Sequence, residues 1–228
     1  MRSCFFSLPA SFARLFPEAG LRGALLAAAG CLFLAGCASV EKPFPDVHHF
    51  NAVVIDAGHG GHDSGALARL GRRSTLAEKA LALDVAQRLE QHLSARGLRT
   101  VMTRRDDRFI RLDDRVAISN ETRNSVFVSI HFNDSRKRYI HGVEVYHNAR
   151  GTEAMARGIL SSLAALPGGK SRGVMVQDFR VLRLSQGPAI LVECGFLSNR
   201  PEALRCASPA HRERIALAIS EAIMAQKR

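Results

Sequence analysis

The chain has no tryptophan, two tyrosines and five cysteines among 228 residues. Aromatic residues make up 6% of it. That scarcity argues against a surface that holds single-stranded nucleic acid by stacking bases on rings. So few cysteines exclude a disulfide-built scaffold, and stability has to come from a hydrophobic core. No apolar run reaches the ~20 residues that a membrane-spanning helix takes. Acids are scarce too: 21 Asp and Glu stand against 32 Lys and Arg, a formal net charge of +11. A surplus of that sign points to an anionic partner: nucleic acid, a membrane surface or another polyanion. What is present suits a globular chain, with 46% hydrophobic and 23% charged residues. That composition excludes disorder and collagen-like repeats.

The N-terminus reads as an address. Arg2, Arg14 and Arg22 precede the apolar run Ala24–Ala35, which ends in Leu34-Ala35-Gly36-Cys37. A basic segment followed by a short apolar one is the pattern of a secretory signal. The ending resembles a bacterial lipobox. It implies cleavage after residue 36 and a lipid anchor on Cys37, with Ala38 favouring export to the outer membrane and a periplasmic domain. An ordinary cleaved signal and a retained anchor are the alternatives. Residues 37–50 read as a lipidated tether and 51–228 as one domain. Residues 37–228 keep 29 basic against 20 acidic residues, so the surplus belongs to the exported part.

Residues 51–228 alternate between strand and helix patterns. Strands are expected at Ala52–Asp56, Arg99–Thr103, Ser125–Ile130, Gly142–His147 and Ala189–Val192. Helices are expected at Leu76–Ala95, Leu112–Arg123, Thr152–Leu166 and Pro209–Gln226. Such alternation predicts an α/β sandwich around a mainly parallel sheet. In such sheets the sites lie beyond the carboxyl ends of the strands.

Three ionisable residues sit there. His59 follows the first strand and its Gly-rich loop, His131 follows SVFVSI, and Glu193 follows AILV. Burying such groups unpaired costs several kcal/mol, so they should share a partner or a cavity. Glu78 lies seven residues before Val85, on the apolar stripe Leu81, Val85, Leu89, Leu93. The helix dipole favours a carboxylate in a first turn but does not explain one that faces inward. Two histidines and a carboxylate form a common zinc set with a fourth position open to water. Glu193 is then placed to act as general base. The spacing is long and scattered, with no H-E-x-x-H helix and no G-x-S-x-G elbow.

Six segments carry a resemblance: VVIDAGHGGHDSGA, LAEKALALDVAQRL, TRRDDRFIRLDDRVAISN, SVFVSIHFND, GVEVYH and PAILVECGFLSN. Together they are similar to the zinc-dependent N-acetylmuramoyl-L-alanine amidases, type 3, from about Val53 to Ile223. The resemblance implies one Zn2+ ion on His59, Glu78 and His131, with Glu193 catalytic. It also implies a twisted, mixed six-stranded sheet flanked by helices. The implied reaction cuts the amide between N-acetylmuramic acid and L-alanine of the peptidoglycan stem peptide, in wall remodelling or cell separation.

Around that set, Asn133 either contacts substrate or orders its loop. His62 and Asp63 either touch substrate or solvate the loop. Arg104 and Arg115 are expected to tie their segment together through Asp pairing. Cys194 is expected to be structural, and its pairing with Cys206 stays open. Relatives gated by an occluding helix carry a long insert after the His131 strand. Only Phe132–His141 intervene here, so no such helix is expected. A monomer is expected, with peptidoglycan and the membrane as partners and no nucleic acid. A wall-binding protein without activity, a nucleic-acid binder, and a zinc amidase or peptidase acting on another bond are the rival readings.

Overall fold

A computed structural model of the chain describes residues 48–72 and 74–227. The expected signal, Cys37 and most of the tether lie outside the described residues. No described helix is long and apolar enough to cross a membrane.

The chain opens on β1 (Ala52–Ala57), then a hairpin of β2 (Leu67–Arg69) and β3 (Thr75–Ala77) leads into α1 (Glu78–Ala95). After β4 (Arg99–Met102) come α2 (Leu112–Glu121), β5 (Ser125–Asn133) and β6 (Val143–His147). Then follow α3 (Glu153–Ala164), β7 (Ser171–Val176), α4 (Arg180–Arg183) and β8 (Ala189–Phe196). Two helices end the chain: α5 (Arg200–Ala207) and α6 (Pro209–Gln226).

The six-stranded sheet has the order β4-β1-β5-β8-β6-β7. Neighbours run parallel except β6 and β8, which are antiparallel. The expected mixed, mainly parallel sheet is therefore found. Central strands are buried on both faces, which explains why they read as unbroken apolar runs rather than as alternation. On one face Val53, Ile55, Val128, Ile190 and Val192 pack against α1, α3 and α6 in the larger core. On the other, Val54, Phe127 and Leu191 meet Val116 of α2 and Val181 and Leu182 of α4 in a smaller one. That second face is only partly covered, and its opening lies at the strands' carboxyl ends.

Several boundaries differ from expectation. Leu76 and Ala77 belong to β3, because the hairpin partner β2 claims their backbone. Glu78 is thus the first residue of α1. His131 and Glu193 lie inside β5 and β8 rather than after them. Pairing with buried neighbours extends both strands past the apolar run that betrayed them. The hairpin, β7, α4 and α5 carry too few apolar residues for a periodic signal.

Candidate metal centre

His59, Glu78 and His131 come from three elements and meet at one point. Their ligating atoms all lie within 4.8 Å of one another. One oxygen of Glu78, Oε1, lies 3.0 Å from His59 Nε2 and 2.8 Å from His131 Nδ1. The two imidazole rings meet edge to face at 4.9 Å.

The local backbone explains the convergence. His59 stands at φ 59°, in the left-handed region that residues other than glycine rarely adopt. Such strain needs an external hold, and two buried arginines supply it. Arg115 donates to the carbonyls of Ala57 (2.6 Å) and His59 (2.7 Å) and pairs with Asp56 at 2.8 Å. Arg104 donates to the carbonyls of Ala57 (2.9 Å), Gly58 (2.7 Å) and Lys79 (2.7 Å). The expected Asp pairing is therefore corrected. Arg115 reaches Asp56 on β1 instead of an acid of its own segment, and Arg104 satisfies its buried guanidinium on carbonyls. Gly58 is required by space: a Cβ there would stand 2.4 Å from the His131 ring.

Glu78 is 4% exposed, and its carboxylate is fully engaged. Besides both imidazoles it accepts from the backbone N–H of Ala66 (2.9 Å) and Phe132 (3.0 Å). The amide of Glu78 itself donates to the Ala66 carbonyl at 2.9 Å, so this loop also caps α1, whose N-cap Ala77 offers no side-chain bond. Burial pushes the Glu78 carboxyl up, but hydrogen bonds and charge from both histidines override it and hold it well below the usual carboxylate range. For His59, burial disfavours the cation, yet Glu78 and then Asp63 outweigh burial and lift its pKa to about 9. His131 is raised the same way, against burial, through Glu78 and the Glu193 charge. Asp63 takes His59 Nδ1 at 2.8 Å, an orienting bond from outside the set.

Glu193 faces His131 across the β5–β8 ladder. Directly after it, Glu193 to Phe196 on β8 spans His131 to Asn133 on β5, so β8 carries an extra residue. Such bulges re-aim side chains next to functional sites. Glu193 Oε2 is buried with no hydrogen-bond partner among the described residues. Burial first, then the charges of Glu78 and Glu144, outweigh His131 and push its carboxyl up to about 7. A cavity of about 510 Å³ opens beside it, lined by His59, His131 and Glu193 and by Phe109, Phe179 and Leu191.

Asn133 lies at the edge of this group with both ends of its amide engaged. Its nitrogen donates to Glu144 at 2.8 Å and its oxygen accepts from the Asp134 amide at 2.8 Å. Glu144 also accepts from Tyr146 (2.8 Å) and Arg172 (2.7 Å), and it pairs in register with Glu193. The sequence reading missed this carboxylate cluster. The alternation in GVEVYH, which puts Glu144 and Tyr146 on one face, was the signal that could have found it. His62 packs on Phe109 at 4.2 Å between centroids and is not one of the three converging donors. Cys194 and Cys206 are both free and buried. Residues 134–142 between β5 and β6 form no helix.

The donor set fits zinc by its chemistry. Zinc takes nitrogen and oxygen donors at about 2.0–2.2 Å, and two imidazoles plus a carboxylate already packed this closely can converge on one ion. Fold and donors together define an α/β protein with a His–Glu–His centre at the rim of its sheet, beside a cavity and a carboxylate with one buried oxygen.

Comparison with known proteins agrees. A family described as N-acetylmuramoyl-L-alanine amidase matches residues 53–225. The chain belongs to this family, and with it to the peptidoglycan hydrolases. The N-acetylmuramoyl-L-alanine amidase LytC of Bacillus subtilis is 33% identical over 74% of this chain, which spans only 34% of LytC. The uncharacterized protein YqiI of the same organism is 35% identical over 84% of this chain and 90% of its own length. Among solved structures, the catalytic domain of the amidase CwlV from Bacillus (Paenibacillus) polymyxa superposes with a TM-score of 0.72 at 35% identity, over 77% of this chain and 97% of that one.

Proposed function

We propose that this protein cleaves the amide between N-acetylmuramic acid and L-alanine of the stem peptide, with one zinc ion held by His59, Glu78 and His131. The observation that carries the reading is Glu193 Oε2, a buried carboxylate oxygen without a partner, at the wall of a cavity that also exposes both histidines. Zinc, when bound, supplies Lewis acidity, which polarises a carbonyl oxygen and acidifies water. Glu193 takes one proton from the attacking water and delivers it to the amide nitrogen as the C–N bond breaks. The new carboxyl gives up the second proton to the departing amine, so the products are a muramic acid carboxylate and a peptide with an L-alanine ammonium. A carboxyl near neutrality suits both halves of that transfer. Asp63 fixes the orientation of His59, while Arg104 and Arg115 hold the loop that carries it.

The same reading extends to location. A lipobox-like Leu34-Ala35-Gly36-Cys37 supports cleavage before Cys37, acylation there, and a periplasmic enzyme on the outer membrane. Two or more acyl chains hold a protein stably where one does not. Asn133, with both amide ends taken, serves better to order Glu144 than to hold substrate. The helix-free connection 134–142 supports an enzyme not gated by an occluding helix from that connection.

The decisive experiment is digestion of purified sacculi by the zinc-loaded protein, with released ends identified by mass spectrometry. Stem peptides beginning in L-alanine are the expected products. Other ends would reassign the bond, and activity that survives a chelator would remove the metal.

A further inference from the structure

The mechanism leaves unused a group of cations that supplies part of the chain's surplus. Segment 67–77 carries three arginines and no acid. Loop 134–142 carries Arg136, Lys137 and Arg138 against the single acid Asp134. The fold brings these two segments to one place. A second hollow, of about 470 Å³, is lined by Leu67, Arg69, Thr75 and Arg138. The turn between β8 and α5 fastens both its walls. Arg200 donates to the carbonyls of Arg69 (3.5 Å) and Leu70 (3.1 Å), and Asn199 Nδ2 donates to the carbonyl of Arg138 at 2.9 Å. Ser198 Oγ adds a bond from the Ser135 amide at 2.9 Å.

Arg69, Arg138 and Arg200 are exposed. None pairs with a carboxylate among the described residues. The cavity beside Glu193 is built the other way. Its Arg115 and Arg180 are each committed, to Asp56 and Asp113, and its walls include Phe109, Ile110, Leu112, Phe179 and Val181. One hollow holds arginines without a carboxylate partner among the described residues; the other pairs its arginines and joins apolar walls to the centre itself.

Their positions relative to the centre are set by the chain. The hairpin starts one residue after Ala66, whose N–H holds Glu78, and ends one residue before Glu78 itself. Thr75 is therefore three strand residues from a ligand, roughly 10 Å at ~3.3 Å per residue. An extended peptide advances ~3.3–3.6 Å per residue, so its third residue falls at about that distance from the bond being cut.

We propose that the Arg69–Arg138 hollow binds free carboxylates of the stem peptide. The inference rests on the amidase reading and adds its polarity. Guanidinium groups suit carboxylates, which they take through paired N–H donors. An anionic membrane surface would meet the same charges, but a concave site fastened to the ligand-bearing hairpin favours a chain entering from the centre.

The test uses calorimetry with a soluble stem peptide bearing free carboxylates and the same peptide amidated. The wild-type protein should bind the free acid tighter by about tenfold. The R69E/R138E pair should lose that preference, as should the milder R69Q/R138Q pair, with unchanged thermal melting. On sacculi, KM should rise by a similar factor with kcat retained. Equal binding of both peptides by the wild type, or a preference that survives in the variants, overturns the proposal. So does loss of binding to anionic phospholipid vesicles in the variants with peptide preference intact, which would make the hollow a lipid site. Failure of the wild type to release L-alanine ends from sacculi would instead sink the amidase reading, independently of the peptide result.

Discussion

At the scale of single residues, each member of the centre is held by a partner that dictates its behaviour. Glu193 stands apart because its Oε2 has no hydrogen-bond partner among the described residues. Glu193→Gln keeps the shape and removes the proton acceptor, so it should retain zinc and lose at least about 100-fold in rate. Near-wild-type turnover with full metal content would take Glu193 out of that role. The rate of the native enzyme should rise with pH along a limb at or below about 7, where the Glu193 carboxyl stands without a metal. The sign follows from its role, since only the ionised form accepts a proton, and a nearby cation favours that form. His59 predicts the opposite trend for the metal-free protein. Its pKa is raised from 6.5 to about 9, so its share of stability is complete below the unfolded value and is lost as pH climbs through 9. Melting in chelator should fall over that window. Zinc affinity should rise over the same window, because the ion displaces those protons.

At the scale of elements, the site depends on how closely β1, β5 and the start of α1 approach. Gly58→Ala inserts a methyl 2.4 Å from the His131 ring. Displacing a ligand by so much should cost zinc affinity 10–100-fold or about that, readable by competition with a chromophoric chelator. Asp56 ties three elements together. It accepts from Thr103 (2.7 Å), Ser129 (2.6 Å) and the buried Arg115. Burial pushes its carboxyl up, but Arg115 and the two hydroxyls hold it below its ordinary 3.8. Its contribution is therefore present above that value and is lost as pH falls through the depressed one. Asp56→Asn leaves Arg115 buried without its counter-charge and should cost about 3–5 kcal/mol in denaturant melts. A loss below 1 kcal/mol or so would show that the carbonyls of Ala57, His59 and Ile110 satisfy Arg115 by themselves.

For the molecule as a whole, one sheet carries two unequal cores, and the thinner cover by α2 and α4 leaves room for the cavity at the strand ends. The cationic hairpin and the 134–142 loop flank the centre elsewhere on the same rim. On the proposed reading, part of the positive surplus acts there on carboxylates of the wall peptide. Location is a whole-chain property as well. Cys37→Ser should move the protein from the membrane fraction to the soluble periplasm without changing its activity on sacculi, and metabolic labelling with palmitate should vanish. Retention in the membrane with no label in either form would restore the reading of an uncleaved anchor.

The four residues of the centre were legible from local sequence because each follows or begins a strongly patterned element. The apolar runs at Ala52, Ser125 and Ala189 and the stripe of α1 announce where the rim must be. The fold class was legible for the same reason, since buried parallel strands and their covering helices carry strong signals. The sequence by itself determined the main strands and helices, the charge surplus and the chemistry of the His–Glu–His donors. Tertiary structure decided that Arg115 pairs with Asp56, that Arg104 clamps carbonyls, and that Glu144 lies beside Glu193. It also decided that Arg69 and Arg138 line one hollow. Those arrangements join positions separated by tens of residues through strand register, a bulge and irregular loops. None of these leaves a periodic trace, because each depends on which distant backbone group comes within hydrogen-bond reach.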